Sequence, residues 1–339
     1  MTKRLFPVLC LCWLSIFAWA QGGSSVYSFL ELPYFAHSAA LGGTHVALVD
    51  DGVGGAMANP ALLSDKTHKQ LAINYSNYLF ETNIGAVAYG YNIGTHRLAA
   101  AIEFLSYGSF EGRDEANRPT GDFSAKDFAL NLSYGKQLDK NLNAGITLKP
   151  IFSTYENYSS FALAVDAGIA YIDTAKGISI GLTFSNIGHQ LSSFTGDYEE
   201  LPFNSALSFS KKFPHAPLRV HLTAHHLHVW DLNYSDRVTS TNLTGDEIKN
   251  KISFGDMLLR HTIVGVDFEP GKVIYLTASY NHRRAAELKL QDSRSMAGFS
   301  FGGGLRLSKI RLDFGMSQYQ KGVWAYQFSL SSKLSSFSK

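Results

Sequence analysis

The chain has 339 residues, with 30 Lys and Arg against 28 Asp and Glu and only 17% charged residues in all. It is long enough for one large domain or two ordinary ones. Its near-neutral charge and lack of a dense Lys/Arg stripe argue against nucleic acid as a partner.

Residues 1–20, MTKRLFPVLCLCWLSIFAWA, run from a basic start (Lys3, Arg4) through an apolar stretch to Ala18-Trp19-Ala20. That order predicts a cleaved secretory signal, too short and wrongly flanked for a membrane span. Both cysteines, Cys10 and Cys12, fall inside it and lack the small-residue context of a lipoprotein signal. The mature chain is therefore expected to carry no disulfide, thiolate metal site or cysteine nucleophile.

Residues 21–68 read differently from the rest: a small-residue run, a diglycine, paired aspartates and Asn59-Pro60. Asn before Pro signals a turn or helix start, and Pro60 suits a first helical position. The stretch has too few large apolar side chains for an independent core and is expected to sit inside whatever follows.

From residue 69 to 339 one pattern returns. In ISIGLTFSNIG, residues 178–188, Ile178, Ile180, Leu182 and Phe184 share one face of an extended strand, while Ser179, Gly181, Thr183 and Ser185 share the other. Fourteen such segments follow one another, most about 9–11 residues long, which is what a tilted strand needs to cross a bilayer. Their apolar faces carry no charge and many aromatics, such as Ile73 and Tyr75, Phe128 and Leu132, Ile169 and Tyr171, or Tyr326 and Phe328. The opposite faces hold Gly, Ala, Ser and Thr with Arg97, Glu103, Asp127, Lys149, Asp166, Arg219, Asp267, Arg306, Arg311 and Asp313. A soluble sandwich would carry long lysines and glutamates on its wet face. An aromatic face without charge suits lipid, and a small-residue face with charges of both signs suits a crowded, hydrated lumen. Tight connections alternate with long ones at 106–123, 152–160, 188–202, 229–260 and 282–296. Short periplasmic turns and longer extracellular loops give that asymmetry. The expected fold is all-β, a 14-stranded antiparallel transmembrane β-barrel in the outer membrane, with both chain ends on the periplasmic side.

Ala40-Leu41-Gly42-Gly43, Asp50-Asp51 and Asn59-Pro60-Ala61 resemble the N-terminal pattern of the FadL-like outer-membrane family. Leu62 stands where that pattern usually has glycine, a departure expected to alter the local turn. The resemblance implies that 21–68 is a hatch, or plug, inside the barrel lumen. The segments 258–269, YNHRRAAELKL (280–290) and 297–330 are similar to the PorV/PorQ branch of that family, which belongs to the type IX secretion system, and they favour its PorQ side. This resemblance, which covers essentially the whole chain, implies a non-enzymatic part of a surface attachment complex that holds PorZ outside the cell, with PorU and PorV in the same complex. The wider family implies the alternative, an outer-membrane transporter of a hydrophobic small molecule.

Other motifs were weighed by their chemistry. His221, His225, His226 and His228 lie close together; by parity His221 and His225 face the lumen while His226 and His228 share the lipid side with Trp230. Histidines two apart on a strand can share a metal, but no carboxylate lies at a matching short spacing, so no metal is expected. The basic 282–296 loop reads either as a solvated loop or as a docking surface for a partner or anionic lipopolysaccharide; Trp230, Arg283 and Arg284 are the preferred contacts. Residues 111–122 lack the EF-hand spacing for calcium. In 241–261, Thr244 and Glu247 form a capping-box pattern, and Ile248, Ile252, Met257 and Leu258 a weak helical stripe. The glycines of FGGGLR (301–306) permit bending or close backbone approach. No G-x-S-x-G or H-E-x-x-H motif is present; neither an enzyme nor a cofactor is expected.

Overall fold

The computed structural model describes residues 25–78, 82–232, 252–288, 296–320 and 322–336. The expected signal, and Thr244, Glu247 and Ile248 of the capping and stripe patterns, lie outside them.

Fourteen strands form one closed antiparallel barrel, each paired to its sequence neighbours and the last to the first. The first seven are β1 (Gln70–Asn77), β2 (Asn83–Ile93), β3 (His96–Arg113), β4 (Pro119–Asp139), β5 (Leu142–Tyr155), β6 (Tyr158–Asp173) and β7 (Ile178–Ser192). The others are β8 (Asn204–Lys212), β9 (Leu218–Ala224), β10 (Thr262–Phe268), β11 (Ile274–Asn281), β12 (Phe299–Arg306), β13 (Ile310–Gln320) and β14 (Val323–Lys333). Closure runs in register from Gln70 opposite Lys333 to Asn77 opposite Tyr326. A closed ladder leaves no sheet edge, so every strand can pair its backbone in a medium without water.

The faces divide as parity requires. Ile73, Tyr75, Phe128, Leu132, Ile169, Tyr171, Tyr326 and Phe328 are exposed on the outside, while the ten charged residues of the opposite faces are buried or half-buried. An outer belt that is apolar and uncharged is the surface of a membrane-spanning barrel. Among the described residues, no helix is long and apolar enough to cross a membrane. In β7 the alternation reverses once. A register shift opposite Val165 and Ala167, with Asn186 at φ 60°, turns Asn186 inward and sends Ile187 out. A bulge adds one residue to one strand and so exchanges the faces beyond it.

Strand lengths are unequal. From β3 to β7 the strands have 18, 21, 14, 16 and 15 residues, whereas β8 to β12 have 9, 7, 7, 8 and 8. Two of the expected long loops are therefore mostly strand. The 106–123 connection is a hairpin extension that turns only at 114–118, and 152–160 closes in a tight turn at 156–157. The other long connections follow β7, β9 and β11. Within them lie helix α3 (Phe254–Arg260) and helix α4 (His282–Glu287), the numbering leaving α1 and α2 for the N-terminal segment.

That segment carries α1 (Ala36–Ala40), α2 (Val53–Ala58) and a 3-10 turn at Pro60–Leu62. It begins at the long-loop end, where Val26 donates its N–H to the Glu200 carbonyl at 3.1 Å. It reaches the short-turn end, where Arg97 meets Asp65 at 3.3 Å, and there enters β1. Most of its residues from Val26 to Leu63 are buried, and their contacts are with inward-facing residues of the barrel. Pro60 occupies the first position of its turn and the Asn59 side chain accepts from the Ala61 N–H at 3.0 Å. Leu62 keeps that turn helical and is itself buried, with Ala61 beside Ala170.

Candidate functional site in the barrel lumen

The inward-facing residues of the barrel wall pack against the N-terminal segment. The small residues make room for backbone. A Cβ added to Gly145 of β5 would stand 2.4 Å from the Pro60 carbonyl carbon, and one on Gly315 of β13 would stand 2.3 Å from the Ala36 carbonyl oxygen. Of the glycines of FGGGLR, Gly302 lies under the Ala40 methyl, whereas Gly303 and Gly304 lie against neighbouring wall residues. Gly42 and Gly43 have φ of 89° and 116°, a region side chains seldom adopt, and they turn the chain at the end of α1.

The charges are ties. Arg311 of β13 donates to Asp51 at 2.8 Å and to the Asp50 carbonyl at 2.6 Å, and it also holds Asp313 at 2.8 Å. His37 of α1 bridges Asp51 at 2.7 Å and Asp267 of β10 at 3.2 Å. His221 meets Asp267 at 2.9 Å and His45 at 3.1 Å. Arg219 pairs with Asp50, and Glu269 gathers Lys212, Arg219 and Arg306. Burial acts to raise the Asp51 carboxyl, but Arg311 and His37 more than offset it and hold the group below the usual carboxylate range. Burial acts to lower His37, and Asp51 with Asp267 outweigh it, pushing the imidazole up to about 10. The paired aspartates and the inward arginines, which the sequence places far apart, thus form one buried network. Dry charges of this kind persist only when paired and hydrogen-bonded.

Towards the long-loop end a cavity of about 110 Å³ remains between the segment and the wall. Glu103, Lys149, Asp166, Thr183 and Asn186 line its wall side, and Leu30, Leu32, Tyr34, Phe35 and Met57 line the side of the N-terminal segment. Lys149 pairs with Asp166 at 2.8 Å and donates to Asn186 Oδ1 at 3.0 Å.

The sequence-predicted contact residues separate. Trp230 is 52% exposed and stacks on Phe254 and His261, with ring centroids 5.2 and 5.5 Å away. Arg283 binds Glu287 at 2.8 Å and lies against the His226 ring nitrogens, so it stays at the rim. Arg284, its sequence neighbour, turns inward: it donates to the Gly42 carbonyl at 3.0 Å and to Ser300 Oγ at 3.1 Å, and covers the Tyr319 ring. Helix α4, capped by the Asn281 side chain, points the two arginines in different directions. Arg284 therefore ties helix α4 to the N-terminal segment. The histidine run is corrected in the same way. β9 ends at Ala224, and His226, at φ 54°, leaves strand geometry, so the parity that put His226 and His228 on the lipid side ceases to apply. His226 instead bonds Glu31 of the N-terminal segment at 3.0 Å, and His228 packs on Phe203. Among the described residues no group of three or more His, Cys, Asp or Glu is placed to hold a metal ion.

No protein-family model and no curated protein matches the chain by sequence. Solved structures do match in fold. CymD, a monoaromatic hydrocarbon channel, aligns over 90% of this chain and 97% of its own at 13% identity and a TM-score of 0.52. The Pseudomonas putida toluene transporter TodX aligns over 89% and 96% at 12% identity and a TM-score of 0.52. The Ralstonia pickettii toluene transporter TbuX aligns over 90% and 98% at 13% identity and a TM-score of 0.50. At such identities the likeness is one of fold alone, a closed antiparallel barrel, which in this chain has 14 strands.

Proposed function

We propose that this outer-membrane barrel works as a non-enzymatic anchor whose long-loop end faces outward and holds a partner at the cell surface. The carrying observation is the lumen. The N-terminal segment, here read as a plug, runs through it from the long-loop end to the short-turn end, and a cavity of about 110 Å³ beside it has Glu103, Lys149 and Asp166 on its wall side. A dry apolar cavity of about 150 Å³ is the kind that takes up benzene. The cavity here is smaller and has the Lys149–Asp166 ion pair in its wall, which makes it a poorer place for a hydrocarbon. The PorQ-like C-terminal motifs name the partner class, a type IX secretion attachment protein of the PorZ kind, with PorU and PorV alongside. Arg283 at the rim is the docking candidate, since Arg284 is engaged with the N-terminal segment.

The second reading, transport of a small hydrophobic molecule, is the one the fold comparisons favour, since the matched proteins are titled toluene transporters and a hydrocarbon channel. It requires the plug to move. Cells with and without the protein separate the two. Attachment predicts that loss of the barrel releases the partner from the surface and leaves monoaromatic uptake unchanged. Lost uptake with the partner still retained would replace attachment by transport.

A further inference from the structure

The wall at β9 and β10 is too low for a bilayer. Seven residues at about 3.3 Å each, tilted by about 40°, rise about 18 Å, against an apolar band about 25 Å tall. What stands above this gap is the connection that carries Trp230 and helix α3, and the Leu258 carbonyl accepts a bond from Thr262 Oγ1 of β10 at 3.0 Å.

Helix α3 is amphipathic in the inverted sense. Its outer side presents Phe254, 72% exposed, with Leu258 and Leu259 at 50% each. Its other side is engaged with the protein, where Met257 is buried together with polar groups. Arg260 is buried and bonds Asp256 at 2.9 Å, Asp256 bonds His282 at 2.8 Å, and Arg260 also reaches the Leu232 carbonyl. A helix lying in water turns its charges out and its leucines in. This one does the reverse, as the strands below it do, where Leu222 and Val264 are exposed. Trp230 stacks on Phe254 and, through its carbonyl, is held by His261 Nε2 at 3.2 Å. An indole at that height occupies the usual place of aromatic residues in a membrane interface.

We infer that Trp230 and the outer face of α3 lie in lipid, and that the helix completes the apolar belt where β9 and β10 stop short. The occupant of this surface is the acyl-chain region of the bilayer, because the patch continues the belt and no charge interrupts its outer side. The inference goes beyond the attachment reading and moves Trp230 from partner contact to membrane contact.

Trp324→Phe leaves Trp230 as the tryptophan of the chain after residue 20. In proteoliposomes built from lipids brominated along their acyl chains, Trp230 emission should fall at least twofold relative to plain lipid, with little response to aqueous iodide. Quenching by iodide and not by bromolipid would overturn the assignment and open the patch to a protein partner. Protection from both quenchers would overturn it too, since the surface would then be covered by protein. Should Trp324→Phe fail to insert, a nitroxide at Leu258→Cys is read instead, with dissolved oxygen expected to relax it more than a water-soluble nickel chelate does. A nitroxide at Val264→Cys in the belt proper is the control. If Val264 is also wet, the membrane reading of the barrel has failed and not the helix assignment alone.

Discussion

The two halves of the barrel wall receive the same N-terminal segment by different chemistry. Along β4 to β7 the contacts are of shape: Gly135, Gly145, Gly168 and Gly181 leave space that Leu63, Pro60, Asn59 and the Val46 carbonyl fill. Along β9 to β13 there are glycines as well, but here Arg219, His221, Asp267 and Arg311 meet His37, His45, Asp50 and Asp51. The first half is also tall, with β3 and β4 carried past the barrel into a hairpin exposed on both faces, and the second is low and finished by helices. Shape complementarity resists compression without choosing a direction. Buried ion pairs fix register, because a shift of one residue leaves a charge without a partner. The low half therefore sets where the segment sits, and the tall half sets how closely.

The largest effect should come from removing a register-setting charge. Arg311→Ala leaves Asp51 buried without its strongest partner and the Asp50 carbonyl without a donor, a loss of about 3–5 kcal/mol. The expected result is a lower temperature for loss of the folded, heat-modifiable band on mild SDS gels and a raised single-channel conductance in planar bilayers. Unchanged conductance in a barrel still folded would mean that the segment is held from the tall side alone.

On the tall side the matching test adds bulk. Gly145→Val places side-chain atoms where the Pro60 carbonyl already lies, an overpacking cost of about 1–3 kcal/mol. Residues 59–63 should then become open to added protease while the charged ties persist. Continued protection would show that the wall yields and that the close approach is not a constraint.

Acid sharpens the comparison further. Asp50 and Asp51 are held below their ordinary value of 3.8 although burial acts to raise them, Arg219 being the main offset for Asp50 and Arg311 for Asp51. Groups with a depressed folded value contribute stability that is complete above the unfolded value and is lost as pH falls through the folded one. His37, raised to about 10, works in the other direction, with a contribution complete below its unfolded value of 6.5 and lost as pH rises through 10. Conductance should accordingly stay low between these limits, rise in acid below pH 3.8 and rise again above pH 10. Asp51→Asn should show a weaker acid response. A response centred near neutrality would assign the gating to other groups.

The barrel was legible because its signal is a repeat: fourteen alternations, each independent of the rest, survive errors at any one end. Loop lengths were less legible, since β3 and β4 continue past the membrane on residues such as Ser109 and Thr120 that carry no apolar alternation. The close packing in the lumen was less legible for a related reason. Glycine and serine facing a pore and glycine and serine facing a packed backbone are the same letters, and only the contact of Gly315 with Ala36 tells them apart. The arginine partners of the paired aspartates were not legible, because they lie between about 170 and 260 residues away in sequence. Parity misplaced His226 because it presumes a strand, and the strand had ended two residues earlier.

The smallest effect is the most exacting check on this account of the two halves. Arg118 and Asp114, at the tip of the tall hairpin, stand 2.8 Å apart, the same separation as Arg311 and Asp51. Their side chains are 77% and 31% exposed, against 11% and 6% for the buried pair. Water already solvates both tip charges, and holding two long side chains in one geometry costs entropy, so the pair contributes little. Arg118→Ala should leave the heat-modifiable band, the conductance and the acid response as they are. If it shifts any of them as Arg311→Ala does, then distance and not burial governs these pairs, and the division of labour between the low and tall walls falls with it. If it releases a surface partner while the barrel is unchanged, the tip of the tall wall, and not the rim beside Arg283, is where the partner binds.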